Sequence, residues 1–156
     1  MSLLNEAARK EILECTKRYP EKRAALLPAL HVLQRDHGWI PQEGMKEVAE
    51  LLGLKPAEVL EVVTFYTMFN QKQVGRHHIQ VCRNISCALR GARRITRHIS
   101  GKLGIQTGET TPDGQFTLSE VECLGSCGTA PMLMLNDDYH ENLTEPRVDE
   151  ILDDLS

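Results

Sequence analysis

Apolar residues recur at intervals of three and four through the first half of the chain, the spacing typical of amphipathic α-helices. Four such stretches follow one another, and a segment with proline or glycine separates each from the next. The positions that define them are Leu4, Ala8, Ile12, Cys15 and Tyr19; Leu26, Leu30, Leu33 and His37; Met45, Val48, Ala49 and Leu52; and Val59, Val62, Val63 and Tyr66. Because short connections keep successive helices together, the pattern predicts a compact bundle of four helices.

A polar stretch at residues 71–75 leads into a second half with a different pattern, in which short strand-like runs are interspersed with helical spacing. The predicted elements are a strand at 78–81, a helix from about Cys87 to Gly101, a strand around Phe116 and Leu118, a buried strand at 131–135 and a helix after Thr144. We therefore predict two domains. Residues 1–72 form the helical bundle, and residues 73–156 form an α/β unit of thioredoxin-like type with a small mixed sheet.

Composition limits the classes of function open to this chain. Its 156 residues are 41% hydrophobic and 26% charged, which suits one large or two small globular domains with a buried core. The formal charge of −4 argues against a nucleic-acid-binding protein, which normally carries a basic domain. No apolar run approaches the roughly 18 residues that span a bilayer, and the amino terminus lacks the features of a secretory signal. We therefore expect a cytoplasmic protein without a membrane span.

Four of the five cysteines form two close pairs, Cys82 with Cys87 and Cys123 with Cys127, about three dozen residues apart. Each iron of a 2Fe–2S cluster takes two cysteine sulfurs, so two pairs on separate loops suit one such cluster per chain. Cys87 is expected at the start of a helix, where free N–H groups favour the thiolate form that binds metal. Gly125 lies between the second pair and allows backbone N–H groups to approach sulfur.

Other types of cysteine site are less well matched. A structural zinc site with four cysteines tolerates these spacings, so a zinc-stapled interaction module stays open as an alternative. A dithiol oxidoreductase would show a C-x-x-C pair, which neither spacing provides, and disulfides require an oxidising compartment. The fifth cysteine, Cys15, is predicted to be a small buried hydrophobe on the first helix.

The chain resembles the E subunit of bacterial NADH:quinone oxidoreductase, the respiratory complex I. The resemblance covers nearly the whole chain and all four paired cysteines. The matching segments are His37-Gly38-Trp39-Ile40, Phe65-Tyr66-Thr67-Met68-Phe69, Val81-Cys82-x4-Cys87, Glu122-Cys123-Leu124-Gly125-x-Cys127-Gly128-x-Ala130-Pro131 and Leu143-Thr144. The family's fold is a helical bundle followed by a thioredoxin-like 2Fe–2S ferredoxin domain, in agreement with the elements predicted from periodicity.

The resemblance implies an electron-transfer subunit that works only inside a larger oxidoreductase and has no catalytic residues of its own. Its four paired cysteines would bind the cluster, and a partner flavoprotein would bind FMN and NADH. Further complex I subunits would hold the assembly at the inner membrane, to which this chain would be peripheral. Related subunits also serve NAD-linked hydrogenases and formate dehydrogenases, which stay as an alternative.

Charged residues are distributed unevenly in the second half. Basic residues follow Cys87, at Arg90, Arg93, Arg94, Arg97 and His98, and the carboxy-terminal segment is acidic. We expect most of these side chains to be solvated. A sharper hypothesis is that the basic helix face docks the flavoprotein or stabilises the negative charge of the cluster.

Overall fold

The computed structural model describes residues 2–155, which divide into two compact units. The first unit ends at Gln73 and the second begins at Val74. The division into two domains, residues 1–72 and residues 73–156, stays a prediction. A domain folds independently, and that can be established only on the separate segments.

The first unit consists of helices, as predicted. Its elements are α1 (Glu6–Thr16), a 3₁₀ turn (Lys22–Ala25), α2 (Leu26–His37), α3 (Gln42–Leu52) and α4 (Pro56–Phe65). Gly38 and Gly53 end α2 and α3 in the left-handed conformation, with φ of 76° and 71°, which glycine adopts without steric cost. The 3₁₀ turn was not predicted, because four residues are too few to show a helical period.

Leucine, valine and alanine side chains from all four helices form the core of this unit. Leu30, Leu33 and Val48 are completely buried. Cys15 and Tyr19 depart from the prediction. Cys15, in the last turn of α1, is only half-buried, and Tyr19 is exposed because α1 ends at Thr16, before it.

The second unit combines a mixed four-stranded sheet with three helices. Its elements are β1 (His77–Cys82), α5 (Ile85–Leu89), α6 (Ala92–Leu103), β2 (Phe116–Val121), a 3₁₀ turn (Cys127–Thr129), β3 (Leu133–Leu135), β4 (Asp138–His140) and α7 (Glu145–Asp153). The strand order is β2-β1-β3-β4, in which β1 and β2 are parallel and the other neighbours antiparallel. The small mixed sheet agrees with the prediction. The peptide bond between Ala130 and Pro131 is cis.

Two details of this unit differ from the prediction. The single helix expected from Cys87 to Gly101 is two helices, because Gly91 has a φ of 97° and breaks the chain between α5 and α6. The edge strand β4 was missed, since three residues are too short to reveal alternation.

The basic helix α6 and the acidic helix α7 are joined by ion pairs. Arg94 pairs with Glu145, and both His98 and Lys102 contact Asp149. These side chains keep substantial exposure to solvent, and their ion pairs connect two helices of the unit. Within residues 2–155, no helix combines the length and the hydrophobicity that crossing a membrane requires.

Candidate metal centre

The parallel strands β1 and β2 bring the two cysteine pairs to one edge of the sheet. Cys82 is the last residue of β1 and is in register with Val121, the last residue of β2. Cys123 follows two residues later, and the Cys82 sulfur lies 3.9 Å from the backbone oxygen of Glu122. Because parallel strands end at the same edge, both loops leave the sheet side by side.

Arg83 and Glu122 connect the two loops directly beside the cysteines. The Arg83 guanidinium donates to the Glu122 carboxylate, and the Arg83 N–H donates to the Val121 carbonyl at 2.9 Å. The pKa of Arg83 is raised by its hydrogen bond to Glu122. Sequence reasoning did not assign this pair, which fastens the start of one loop to the start of the other.

Cys87 lies in the first turn of α5, behind the capping residue Asn84, and is 2% exposed. Burial, together with a hydrogen-bonding interaction with Cys82, raises the pKa of the Cys87 thiol to about 11. A backbone N–H from Met132 acts in the opposite direction. Desolvation therefore acts against the expected preference for thiolate at this helix start. Metal binding would have to displace the proton.

The second cysteine pair is on a loop that follows β2 and is open to solvent. Cys123 and Cys127 are both exposed, whereas Cys82 and Cys87 are buried. Gly125 adopts a φ of 81° and donates its backbone N–H to the Cys123 sulfur at 3.3 Å. The predicted approach of an amide to a cysteine sulfur is confirmed at this position.

A cavity of about 300 Å³ opens beside Cys127, between α5 and the 3₁₀ turn at Cys127–Thr129. Its lining residues are Ser86, Leu89, Arg90, Cys127, Gly128 and Ala130. Cys127 is also close enough to Cys87 to raise the pKa of that thiol electrostatically. Cys87 is thus influenced both by Cys82 and, from the other loop, by Cys127.

The donor set fits a binuclear iron centre in number and kind. All four paired cysteines are free thiols, two on each loop, and a 2Fe–2S cluster needs two sulfurs for each iron. Within the described part of the chain, no group of three or more histidine, cysteine or acidic side chains is placed to hold a single metal ion. The assignment of Cys82, Cys87, Cys123 and Cys127 as ligands stays a prediction.

Two further side chains contact the loop of Cys123 and Cys127, and sequence reasoning missed both. Tyr139 lies on β4 and Glu141 follows it, so they became visible only when this short strand was located. Their spacing of two residues after the turn at 136–137 was the available signal, since alternate residues of a strand share a face.

Comparison with known families identifies the relatives of this chain. Residues 12–156 match the family model described as thioredoxin-like 2Fe-2S ferredoxin. The chain belongs to this family. Membership in the ferredoxin family confirms the predicted thioredoxin-like fold and 2Fe–2S cofactor.

Similar ferredoxin-family proteins are named as subunits of an NADH-oxidising complex. An NADH-quinone oxidoreductase E subunit of Rhizobium meliloti (strain 1021) is 48% identical over 145 residues, covering 93% of this chain and 86% of the relative. The mitochondrial NADH dehydrogenase (ubiquinone) flavoprotein 2 of Dictyostelium discoideum is 45% identical over 141 residues, covering 88% of this chain and 57% of the relative. The resemblance to the bacterial E subunit is thereby confirmed.

A solved structure shares the fold of this ferredoxin-family chain. It is an NAD+-reducing NiFe hydrogenase in the air-oxidized state, with a TM-score of 0.72 and 23% sequence identity. The match covers 83% of this chain and 22% of the hydrogenase chain. At this level of identity the likeness concerns the fold.

Proposed function

We propose that this protein is the electron-transfer subunit of an NADH:quinone oxidoreductase and holds one 2Fe–2S cluster through Cys82, Cys87, Cys123 and Cys127. It acts as part of an oxidoreductase and contributes no catalytic acid, base or nucleophile. The observation that carries the proposal is the 48% identity to an NADH-quinone oxidoreductase E subunit over 93% of the chain. Four free thiols, carried on the two chain segments that leave the same edge of the sheet, support it.

When bound, the cluster supplies a centre that is reduced and reoxidised one electron at a time. Two of the proposed ligands are buried in the protein and two are exposed on its surface. Cys82 and Cys87 are 3% and 2% exposed and shield one side from water, while Cys123 and Cys127 are open to solvent. The Gly125 N–H stabilises negative charge on the Cys123 sulfur.

The partner in this proposal is a flavoprotein that binds FMN and NADH, with further complex I subunits beyond it. Assembly with those subunits would place this chain at the periphery of the inner membrane, on the cytoplasmic side. Electron transfer requires close approach, so the flavoprotein must cover the side on which the cysteine thiols are exposed.

We place this docking surface on the apolar patch formed by Ile85 and Leu89 of α5. These side chains are 73% and 83% exposed, and Leu89 lines the cavity beside Cys127. Large aliphatic side chains so exposed commonly mark an interface. Arg90 and Arg93 follow Leu89 closely in the sequence. Neither side chain forms an ion pair among the described residues. A partner with an apolar centre and carboxylates around it would match this surface.

The function is tested by anaerobic isolation of the native complex through this chain, followed by analysis of iron, acid-labile sulfide, zinc and flavin. We expect about two irons and two sulfides per chain, a reddish-brown colour and a co-purifying flavoprotein. A colourless protein with zinc and no iron would establish the zinc-stapled module instead. Recovery of a nickel hydrogenase subunit would assign the chain to the related diaphorase module.

The ligand assignment is tested by removing single thiols. Cys127→Ala should lose most of the iron, because one iron would keep a single cysteine ligand. Cys15→Ala is the matched control, since Cys15 is a half-buried thiol in the other unit and should leave the iron content unchanged. Equal iron loss in both variants would show that the ligand set is wrong.

A further inference from the structure

The loop that carries Cys123 and Cys127 has little regular structure of its own. The chain forms neither helix nor strand between Val121, where β2 ends, and Cys127, where a three-residue 3₁₀ turn begins. Within that turn the Thr129 N–H reaches the Ser126 carbonyl at a long 3.3 Å. Contacts from outside the loop therefore add to the few internal ones that hold both exposed cysteines.

Tyr139 provides one of these contacts. Its hydroxyl donates to the backbone carbonyl of Leu124 at 2.7 Å, at the residue directly after Cys123. Tyr139 is in register with Met134 of β3, so the sheet fixes the backbone from which the ring extends. The ring is half exposed and spans from the sheet edge to the loop.

Glu141 provides the other contacts, to the part of the loop around Cys127. Its carboxylate accepts a hydrogen bond from the Thr129 hydroxyl at 2.6 Å and another from the Ser126 hydroxyl, at the same oxygen. These two bonds lower the pKa of Glu141, the Ser126 bond most, so the carboxylate is charged at neutral pH. Ser126 directly precedes Cys127, and the Asn142 N–H donates to the Thr129 carbonyl at 2.7 Å, which fixes the backbone next to Glu141.

We propose that Tyr139 and Glu141 are positioning residues that brace the outer cysteine loop and so set the stability and reduction potential of the bound cluster. This inference rests on the proposed function. Tyr139 fixes the backbone after Cys123, and Glu141 fixes the hydroxyl groups on either side of Cys127. The two residues are two apart along an extended segment and reach the same loop.

Glu141 also controls which hydrogen-bond donors the loop offers. While its carboxylate accepts the Ser126 and Thr129 hydroxyl protons, those protons are not available to cysteine sulfur. Its negative charge further disfavours the added electron of the reduced cluster. Both effects keep the reduction potential low, since donors to sulfur and nearby positive charge raise it.

The test uses the full chain with its cluster, and the variants Tyr139→Phe and Glu141→Gln, each of which changes a few atoms at an exposed position. Asp137→Asn is the matched control, because Asp137 lies on the adjoining turn and has no side-chain hydrogen bond or ion pair among the described residues. Three quantities are measured: the rate of iron release to a chelator, the midpoint potential, and the electron paramagnetic resonance spectrum of the reduced form.

We expect both brace variants to release iron about tenfold faster than Asp137→Asn, the factor that corresponds to losing one ordinary hydrogen bond. Glu141→Gln should also raise the midpoint potential and change the resonance spectrum. Release rates equal to the control in both variants would overturn the brace. Equal potential shifts in Glu141→Gln and Asp137→Asn would overturn the tuning role, because any nearby carboxylate would then suffice. A wild-type chain without iron would instead refute the proposed function itself.

Discussion

Gly75 shows how a single hydrogen atom in place of a side chain allows two backbones to meet. A Cβ at this position would lie 2.9 Å from the Phe116 carbonyl carbon and 3.0 Å from backbone atoms of Gln115. The Gly75 N–H also donates to the Thr117 hydroxyl at 2.6 Å. Backbone atoms at the start of β2 cannot move aside as a flexible side chain would.

We therefore expect Gly75→Ala to lower the free energy of unfolding by about 1–3 kcal/mol, the usual cost of overpacking. Gly101→Ala is the control, because Gly101 lies inside α6 with open space around its Cα. Alanine favours helix by up to about 1 kcal/mol over glycine, so this variant should be more stable than the wild type. Urea unfolding measures both, and a stable Gly75→Ala protein would refute the close approach.

Individual residues of the site were predictable to different degrees. The four paired cysteines and Gly125 could be identified from spacing and from the conformational freedom of glycine. Arg83 and Glu122 could not, because only the sheet register brings them together. Tyr139 and Glu141 were missed because the strand that carries Tyr139 is too short to be recognised, although their spacing of two residues was a signal. The raised pKa of Cys87 likewise depends on burial, which the sequence around a single residue does not specify.

At the scale of elements, helices α6 and α7 are held together by charge as well as by apolar packing. Asp149 of α7 accepts from His98 at 2.9 Å and from Lys102 at 3.0 Å. These two bonds, His98 first, lower the pKa of Asp149 below its ordinary value of 3.8. A carboxyl group with a lowered folded-state pKa stabilises the fold above its unfolded pKa and loses that contribution as pH falls through the folded value.

The prediction concerns acid stability. Replacing Asp149 by Asn should lower stability at pH 7, and the difference from the wild type should shrink only as pH falls below 3.8 and through the lowered pKa of the folded state. Asp154→Asn is the control, since Asp154 ends the same helix without a side-chain ion pair among the described residues. Urea midpoints at pH 7, 5 and 3 give the comparison. A difference that is constant across this range would rule out the ion pairs as its cause.

Elements with several turns or with a capping glycine were predictable from the sequence. Helices α2 and α3 end at Gly38 and Gly53, as their left-handed conformations require. The break at Gly91 was not predictable, because the apolar positions Ala88, Ala92 and Ile95 continue a helical period across it. Strand β4 was missed for the opposite reason, since it is too short to have a period at all.

At the scale of the whole molecule, the proposal assigns the flavoprotein contact to the apolar patch of Ile85 and Leu89. Leu89→Ser should weaken flavoprotein binding by roughly 10- to 100-fold, the range that corresponds to about 1.5–3 kcal/mol for burying one leucine. Leu13→Ser is the control, because Leu13 is an exposed leucine in the first unit. Binding is measured by calorimetry with cluster-loaded protein, so that iron content and affinity are determined on the same sample. Equal weakening by both variants would refute this location.

The two cysteine pairs differ in their access to solvent, and hence in the order in which reagents from solution would reach them. With the four ligands proposed, an incoming source of iron would contact the exposed Cys123 and Cys127 before the buried Cys82 and Cys87. Peroxide reaches the same outer thiols first. Cluster loading and oxidative damage would therefore both begin at the exposed pair, and a partner protein that covered Cys123 and Cys127 would protect the proposed cluster.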